Sequence, residues 1–288
     1  MTPFVGGAEL GGTKCVLAVA RSPFDIIQRT VIPTEDPRIT LDSIFTFFND
    51  YEIDTIGIGT FGPVVLDSGS NDYGLLISES KKGWKGINIY DEFSSNIGGR
   101  IVIDTDVNVA GIGEYSYGAG KACPVIVYIT VGTGIGGGLL LNGKPHTGKF
   151  HLEIGHMRIP NPDNFEGICQ IHGSCWEGLA SGPALSERWG TAVSDLSESH
   201  LAWDKEAELL AHGIISIIAN YSPNRIILGG GVMKQKHLYP KIRYNVTELW
   251  NDYIPLGDLS EMIVEPGLGS DSGIVGALVL GSGGPAQI

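Results

Sequence analysis

Two distant segments of this chain repeat one plan. The first, residues 4–20, is an apolar run, then Glu9-Leu-Gly-Gly-Thr-Lys14, then a second apolar run. The second, residues 125–141, is an apolar run, then Gly132-Thr-Gly-Ile-Gly-Gly-Gly138, then a short apolar run. Each reads as strand, glycine turn, strand, because short β-branched runs bounded by glycine favour pairing through a tight turn. A third glycine run, 229–231, follows the strand-like stretch 225–228. Glycine supplies 42 of the 288 residues, about twice the usual share of ~7%, and much of it is clumped in such turns.

Further strands are expected at 26–32, 55–60, 101–105 and 261–265, and helices at 41–51, 107–117, 175–189, 205–221, 238–253 and 272–280. Asp204 and Asp271 stand where helix N-caps are expected. Strands mixed with helices make an α/β chain. The repeated hairpin and crossover pattern implies two related domains, divided near Val107, with a ligand cleft between them.

The formal net charge is −13 and the pI about 4.9. That argues against nucleic acid as the main partner, which calls for a basic face. It leaves room for phosphates held by backbone N–H groups and a cation. Cys15 and Cys123 lie in or beside apolar runs and are expected as buried thiols; Cys169 and Cys175 belong to a cluster taken up below. The N-terminus has no basic and apolar leader pattern, and no apolar run reaches the ~18 residues of a membrane span. A reducing cytoplasm is the expected location.

Two common phosphate motifs are nearly matched and fail on context. Gly7 to Gly12 has the spacing of a P-loop, but Thr13-Lys14 follows where Lys-Ser/Thr is needed, and the next stretch is strand-like rather than helical. Gly132, Gly134 and Gly137 satisfy the dinucleotide-binding glycine pattern, yet the following residues read as a strand closed by the Asn142-Gly143 turn, where a helix is required. The remaining reading is a pair of hairpin turns whose backbone N–H groups approach phosphate, with the Thr13 and Thr133 hydroxyls beside them.

Between residues 153 and 177 lie Glu153, His156, Cys169, His172, Cys175 and Glu177. Two His and two Cys match a closed tetrahedral zinc site. A zinc hydrolase would keep three protein ligands and an open position, so this metal is expected to hold a loop in shape. The flanking glutamates are then the functional candidates. The histidines outside the motif, His146, His151, His200, His212 and His237, read as surface or satisfied core.

In order and spacing the chain resembles the ROK family of sugar kinases, within the actin-like ATPase superfamily, over essentially its whole length. The markers are Glu9-x-Gly-Gly-Thr-Lys14, Gly57-Ile-Gly-Thr-Phe-Gly-Pro63, Asp104-Thr-Asp-Val-Asn108, Val131-Gly-Thr-Gly-x-Gly-Gly-Gly138, Glu153-x-Gly-His156, Cys169-x2-His172-Gly-x-Cys175-x-Glu177 and Leu228-Gly-Gly-Gly-Val232. The resemblance implies a two-domain ribonuclease-H-like fold, with residues 1–107 plus 270–288 as the N-terminal domain and 108–269 as the C-terminal one. It implies transfer of the ATP γ-phosphate to a sugar hydroxyl with Mg²⁺.

Roles follow from the same resemblance. Asp106 is the implied base, two residues before Asn108; Asp104 is its rival, and N-capping is the plain alternative for Asp106. Glu9 faces Mg²⁺ and phosphate, through water. Gly11, Gly12, Thr13, Lys14, Gly132, Thr133 and Gly134 line the phosphates, although Lys14 reads equally well as surface. Gly229, Gly230, Gly231 and Val232 line the adenosine. Asn108, Glu153, Glu177 and His156 bind the sugar, and His156 also joins Cys169, His172 and Cys175 on zinc.

Many ROK kinases use a Cys-x-Cys set where this chain has Cys169 and His172, and that departure points to the bacterial zinc-containing fructokinase group. Lys81 and Gly83-Trp84 resemble a segment of that group near the sugar; Glu79-Ser80 departs from it. The implied reaction makes fructose 6-phosphate, with mannose or glucose as the alternative acceptors. A non-catalytic sugar-binding regulator is the alternative of another class. It would carry a helix-turn-helix before the first strand, which is expected from about Phe4. Homodimerisation is common in the family, but no stripe in the sequence derives it.

Overall fold

A computed structural model describes residues 4–78 and 81–284, so the Glu79-Ser80 departure lies outside the described residues. The chain divides into two compact units. Unit 1 gathers the residues up to Ala122, Leu140–Leu152 and those from Gly267 on; unit 2 gathers Cys123–Leu139 and Glu153–Pro266. The expected domain boundaries at 107 and 270 differ from these. The helix Asp106–Tyr117 stays with unit 1 because it packs along the last helix of the chain.

Unit 1 is built on the sheet β3-β2-β1-β4-β5, with β1 Phe4–Leu10, β2 Lys14–Ala20, β3 Ile26–Pro33, β4 Ile53–Thr60 and β5 Arg100–Thr105. β1 and β2 form the expected hairpin, β3 extends it antiparallel, and β4 and β5 add on the other side in parallel. Successive β2 side chains point to opposite faces. Cys15, Leu17 and Val19 join a core with Ile44, Phe48, Trp84 and Phe93. Val16, Ala18 and Ala20 pack with Ile274 and Leu278. These faces are covered by α1 Pro37–Phe48 and α2 Ile89–Asn96, and by α9 Ser272–Gly281. Each fully buried Ile or Leu contributes roughly 1.5–3 kcal/mol.

Helix α3, Asp106–Tyr117, crosses α9 at backbone distance. A Cβ on Gly276 would stand 1.8 Å from the Val109 carbonyl oxygen, and one on Gly113 would stand 2.4 Å from that of Ser272. Only glycine at both positions permits this approach. Part of the glycine excess therefore serves helix packing rather than turns.

The second sheet has the order β10-β9-β6-β7-β8, with β6 Val125–Val131, β7 Ile135–Leu141, β8 Lys144–Pro145, β9 Arg225–Gly229 and β10 Ile263–Val264. Read from β8, the order repeats that of unit 1: two consecutive strands outside the first, and parallel strands added on its far side. The repeat seen in the sequence is thus a repeat of topology. β7 is followed by Asn142 and Gly143, both at positive φ (51° and 77°), which suits a two-residue hairpin turn and rules out the helix that a dinucleotide fingerprint needs. β2 does the same for the P-loop reading.

Unit 2 carries α4 Trp176–Ala180, α5 Gly182–Trp189, α6 Ala202–Tyr221, α7 Leu238–Trp250 and α8 Leu259–Met262. Several expectations change here. The helix expected over 175–189 breaks at Ser181, whose hydroxyl caps α5, because Pro183 fits only a first turn. The strand expected at 261–265 is helical to Met262, since Asp258 caps α8 through the Ser260 N–H. Asp204 is not a cap: α6 starts at Ala202, and Asp204 pairs with Lys241. In unit 1, Asp271 holds the cap position of α9 without a capping bond, because its carboxylate accepts from Arg29 at 2.7 Å. Helix α2 was not anticipated. Cys15 is buried as expected, whereas Cys123 is half-exposed. Among the described residues no helix is long and apolar enough to cross a membrane.

Candidate active site

The candidate residues fall into two groups, one in each unit. In unit 1 the β1–β2 turn closes through the Gly11 N–H, which donates to Lys14 O at 3.0 Å. Thr34, just after β3, braces it: its hydroxyl donates to Gly11 O at 2.6 Å and its N–H to Thr13 O at 2.9 Å. Lys14 is exposed. Glu9 ends one residue before the turn. Its Oε2 is sealed from solvent and finds no hydrogen-bond partner among the described residues. Its carboxyl carbon lies where a Cβ on Gly273 would come within 2.3 Å, so glycine at the start of α9 makes room for it. Burial raises the Glu9 pKa to about 7; Asp106 adds to the shift, and Lys14 and Arg29 oppose it.

β5 runs into α3 at the two candidate aspartates, and the structure separates their roles. Asp104 Oδ1 accepts from the Thr105 N–H and from Asn108 Nδ2, both at 2.7 Å. Burial raises its pKa to about 6. Asp104 therefore bolts β5 to α3. The N-cap of α3 is Thr105, whose hydroxyl accepts from the Asn108 N–H at 3.2 Å. Asp106, the first helical residue, has its Oδ1 accepting from the Val107 N–H at 2.9 Å, so capping does not explain it. Asn108 is only 3% exposed, with its amide turned to Asp104.

In unit 2 the turn 132–134 closes through the Gly132 N–H donating to Gly134 O at 2.9 Å, and the Gly182 N–H at the start of α5 donates to Gly132 O at 2.8 Å. Thr133 sits at its tip. The run 229–231 lies against the end of β6: Gly230 has φ +94°, and a Cβ there would stand 2.4 Å from the Val131 carbonyl oxygen. Val232 is buried behind it. The second turn and the third glycine run are thus neighbours.

The ligating atoms of His156, Cys169, His172 and Cys175 all lie within 4.8 Å of one another. His156 Nδ1 is 3.5 Å from Cys175 Sγ and 3.9 Å from Cys169 Sγ, and His172 Nδ1 is 3.8 Å from Cys169 Sγ. The knuckle is tied by the Gly173 N–H donating to Cys169 O at 2.8 Å and by Arg158 donating to His172 O at 2.7 Å. Trp176 anchors it: fully buried, its Nε1 donates to Leu209 O of α6 at 3.0 Å. Backbone N–H groups of His172 and Gly178 point at the two sulfurs at 3.4 Å, and burial lifts Cys175 to about 11. Such a thiol ionises when a cation binds it. The donor set fits zinc.

With Nδ1 turned to the sulfurs, His156 presents Nε2 3.9 Å from Glu153 Oε2. Burial raises Glu153 to about 7, and Glu177 adds to it. Glu177 Oε2 accepts from the Ile135 N–H at 3.0 Å. Two carboxyl groups and one imidazole edge thus converge, a set suited to several hydroxyls of one polyol.

Lys81 and Trp84, read in the sequence as part of a segment near the sugar, make contacts that reading does not contain, and Glu114 was not singled out at all. Lys81 donates to Gly12 O at 2.8 Å, rather than serving only as part of a sugar segment. Trp84 is core, stacked edge-on against Phe61, with Nε1 donating to Glu35 O at 3.0 Å. Glu114, 0% exposed in α3, accepts from the N–H groups of Ala119, Gly267 and Leu268 and from the Ser272 hydroxyl, at 2.6–2.9 Å. It sets the segment that leads into α9 and so Gly273 against Glu9. A lone carboxylate among the apolar and glycine residues of 107–113 was the available signal.

The family model of the ROK family matches residues 5–283. The chain is 38% identical to the fructokinase of Zymomonas mobilis subsp. mobilis over 286 residues, covering 96% of this chain and 95% of that one. It is 26% identical to the glucokinase of Streptomyces coelicolor over 312 residues, covering 94% and 95%. Its fold is similar to that of a ROK family glucokinase from Streptomyces griseus solved with glucose and AMPPNP (TM-score 0.78, 23% identity, 98% of this chain and 100% of that one).

Proposed function

Because this chain belongs to the ROK family, we propose that it transfers the γ-phosphoryl group of ATP to fructose, giving fructose 6-phosphate. The observation that carries the choice of sugar is the clear excess of identity to a fructokinase over that to a glucokinase.

Asp106 is the base. A sugar hydroxyl is too weakly acidic to ionise alone, and a carboxylate in hydrogen-bond reach orients it and accepts its proton late in transfer. Thr105, not Asp106, caps α3, and Asp106 stands at its first helical position. Glu153, Glu177 and the Nε2 edge of His156 hold sugar hydroxyls, and Asn108, buried with its amide donating to Asp104, acts as a support for the start of α3. The turns at 11–14 and 132–134 hold phosphates by backbone N–H groups, and Gly229, Gly230, Gly231 and Val232 line the adenosine. Mg²⁺, when bound, neutralises charge on the β- and γ-phosphates; Glu9, with its partnerless Oε2, would face it through water. Zn²⁺, when bound, would be held by His156, Cys169, His172 and Cys175 and would keep the sugar loop in shape.

The test is a coupled assay of ADP release with fructose, mannose and glucose in turn, with ATP and Mg²⁺. Fructose at least ~10-fold above the others in kcat/KM is the expected result, since that ratio corresponds to one well-made hydroxyl contact. Preference for glucose or mannose would reassign the substrate, and no sugar-dependent ADP release would remove the kinase reading.

A further inference from the structure

We propose that Lys81 is a positioning residue for ATP: it holds the peptide between Gly12 and Thr13 so that the turn's N–H groups face the phosphates. This rests on the reading that the 11–14 turn binds phosphate. Three of the turn's four carbonyl groups are held by two residues, and the fourth, Lys14 O, closes the turn with the Gly11 N–H. Gly11 O and Thr13 O are taken by Thr34, and Gly12 O by Lys81 Nζ, which also donates to Thr34 O at 3.0 Å.

In a trans peptide the N–H of the next residue points opposite to the carbonyl. With the carbonyls drawn toward Thr34 and Lys81, the N–H groups of Gly12, Thr13 and Lys14 are directed to the other side, as an anion-binding concavity needs. Gly12 is exposed, and a Cβ there would meet nothing within 4 Å. With no side chain on Gly12 to fix this peptide, the ammonium at 2.8 Å restrains it and places a positive charge behind the turn. Lys81 is itself held from the core: its carbonyl accepts from the Trp84 N–H at 3.1 Å, and Trp84 Nε1 donates to Glu35 O, next to Thr34.

The experiment titrates AMPPNP with Mg²⁺ into the intact protein and into Lys81→Met, Lys81→Gln and Lys81→Arg, and measures fructose kinase kinetics in parallel. Lys81→Met keeps the stem and loses the donor and charge. It is expected to weaken AMPPNP about 10-fold or more, the effect of losing a charged hydrogen bond. The KM for ATP should rise to match while that for fructose stays within about twofold, on the same grounds. Lys81→Arg, which restores donor and charge, should recover most of the loss, and Lys81→Gln, too short to reach, should behave as Lys81→Met and stands in if that variant folds poorly.

Unchanged AMPPNP affinity in both Lys81→Met and Lys81→Gln overturns the proposal. So does a defect confined to the KM for fructose, which would return Lys81 to the sugar, or a lowered Tm with unchanged kinetics. The titration needs no sugar turnover, so it remains decisive if another hexose proves to be the substrate. An intact protein that does not bind AMPPNP overturns both readings.

Discussion

Glu177 accepts a hydrogen bond from the backbone N–H of Ile135 at 3.0 Å. The same carboxylate is close enough to Glu153 to raise its pKa. One side chain therefore joins the Glu153, His156 and Glu177 cluster of unit 2 to the glycine turn 132–134. A Cβ on Gly134 would stand 2.5 Å from Glu177 Oε2. Gly134→Ala is expected to displace Glu177, raising the KM for fructose and lowering kcat, by ~10-fold or more in kcat/KM, since misplacement by about an ångström costs up to 10²-fold. Steady-state kinetics check this; unchanged KM and kcat would show that Glu177 is not coupled to the turn.

Asp106→Asn is expected to lower kcat by roughly 10²–10⁴-fold, the range for loss of a positioned base. Its amide oxygen can still accept from the Val107 N–H, so Tm should hardly move. Near-normal kcat would remove Asp106 from the base role.

Asp104 contributes a pH dependence that a single substitution isolates. Its pKa is held at about 6 by burial, above the ordinary value of ~3.9. The folded protein therefore binds this proton more tightly than the unfolded chain. The resulting stability is complete below about pH 4 and is lost as pH rises through about 6, to a total of roughly 2–3 kcal/mol. Asp104→Asn keeps an acceptor for Thr105 and Asn108 and cannot ionise. Its Tm should exceed that of the intact protein at pH 8, with the advantage gone near pH 4. A Tm difference that is the same at both pH values would contradict the assignment.

Stripping the cluster of His156, Cys169, His172 and Cys175 with a strong chelator should lower Tm and raise the KM for fructose. Binding of AMPPNP should hold better, because no zinc ligand belongs to either phosphate turn. Metal analysis of the native protein should find about one zinc per chain, the closed-site stoichiometry. A content near zero would refute the zinc reading.

Glu114→Ala removes the buried acceptor shared by three part-buried N–H groups and the buried Ser272 hydroxyl. At roughly 1–3 kcal/mol for an unsatisfied buried group, a loss of several kcal/mol is expected, visible as a Tm drop of ten degrees or more. Glu114→Gln should fall between, because its amide NH₂ would face donors. A Tm within two degrees of the intact protein in both variants would show that the 267–272 segment is held by other contacts.

The parts legible in the sequence are those written over short spans. The hairpins around 11–14 and 132–134 follow from glycine between β-branched runs. The clustering of His156, Cys169, His172 and Cys175 follows from spacing within one loop. Rejection of the P-loop and dinucleotide readings follows from strand-like residues after each turn. The break at Ser181 was also local, and was missed because helical periodicity was read through Pro183.

Local sequence alone dictates the repeated strand–turn–strand plan, the α/β class and the gathering of His and Cys in the 153–177 loop, since backbone sterics and side-chain alternation act between near neighbours. Only the tertiary structure decided that Asp104 is a bolt while Thr105 caps α3. Only it seated Glu9 on Gly273, Glu114 on the entry to α9, and Lys81 on Gly12 O. Each of these joins residues brought together by packing, where burial strips away water and leaves a polar group to the partner the fold provides.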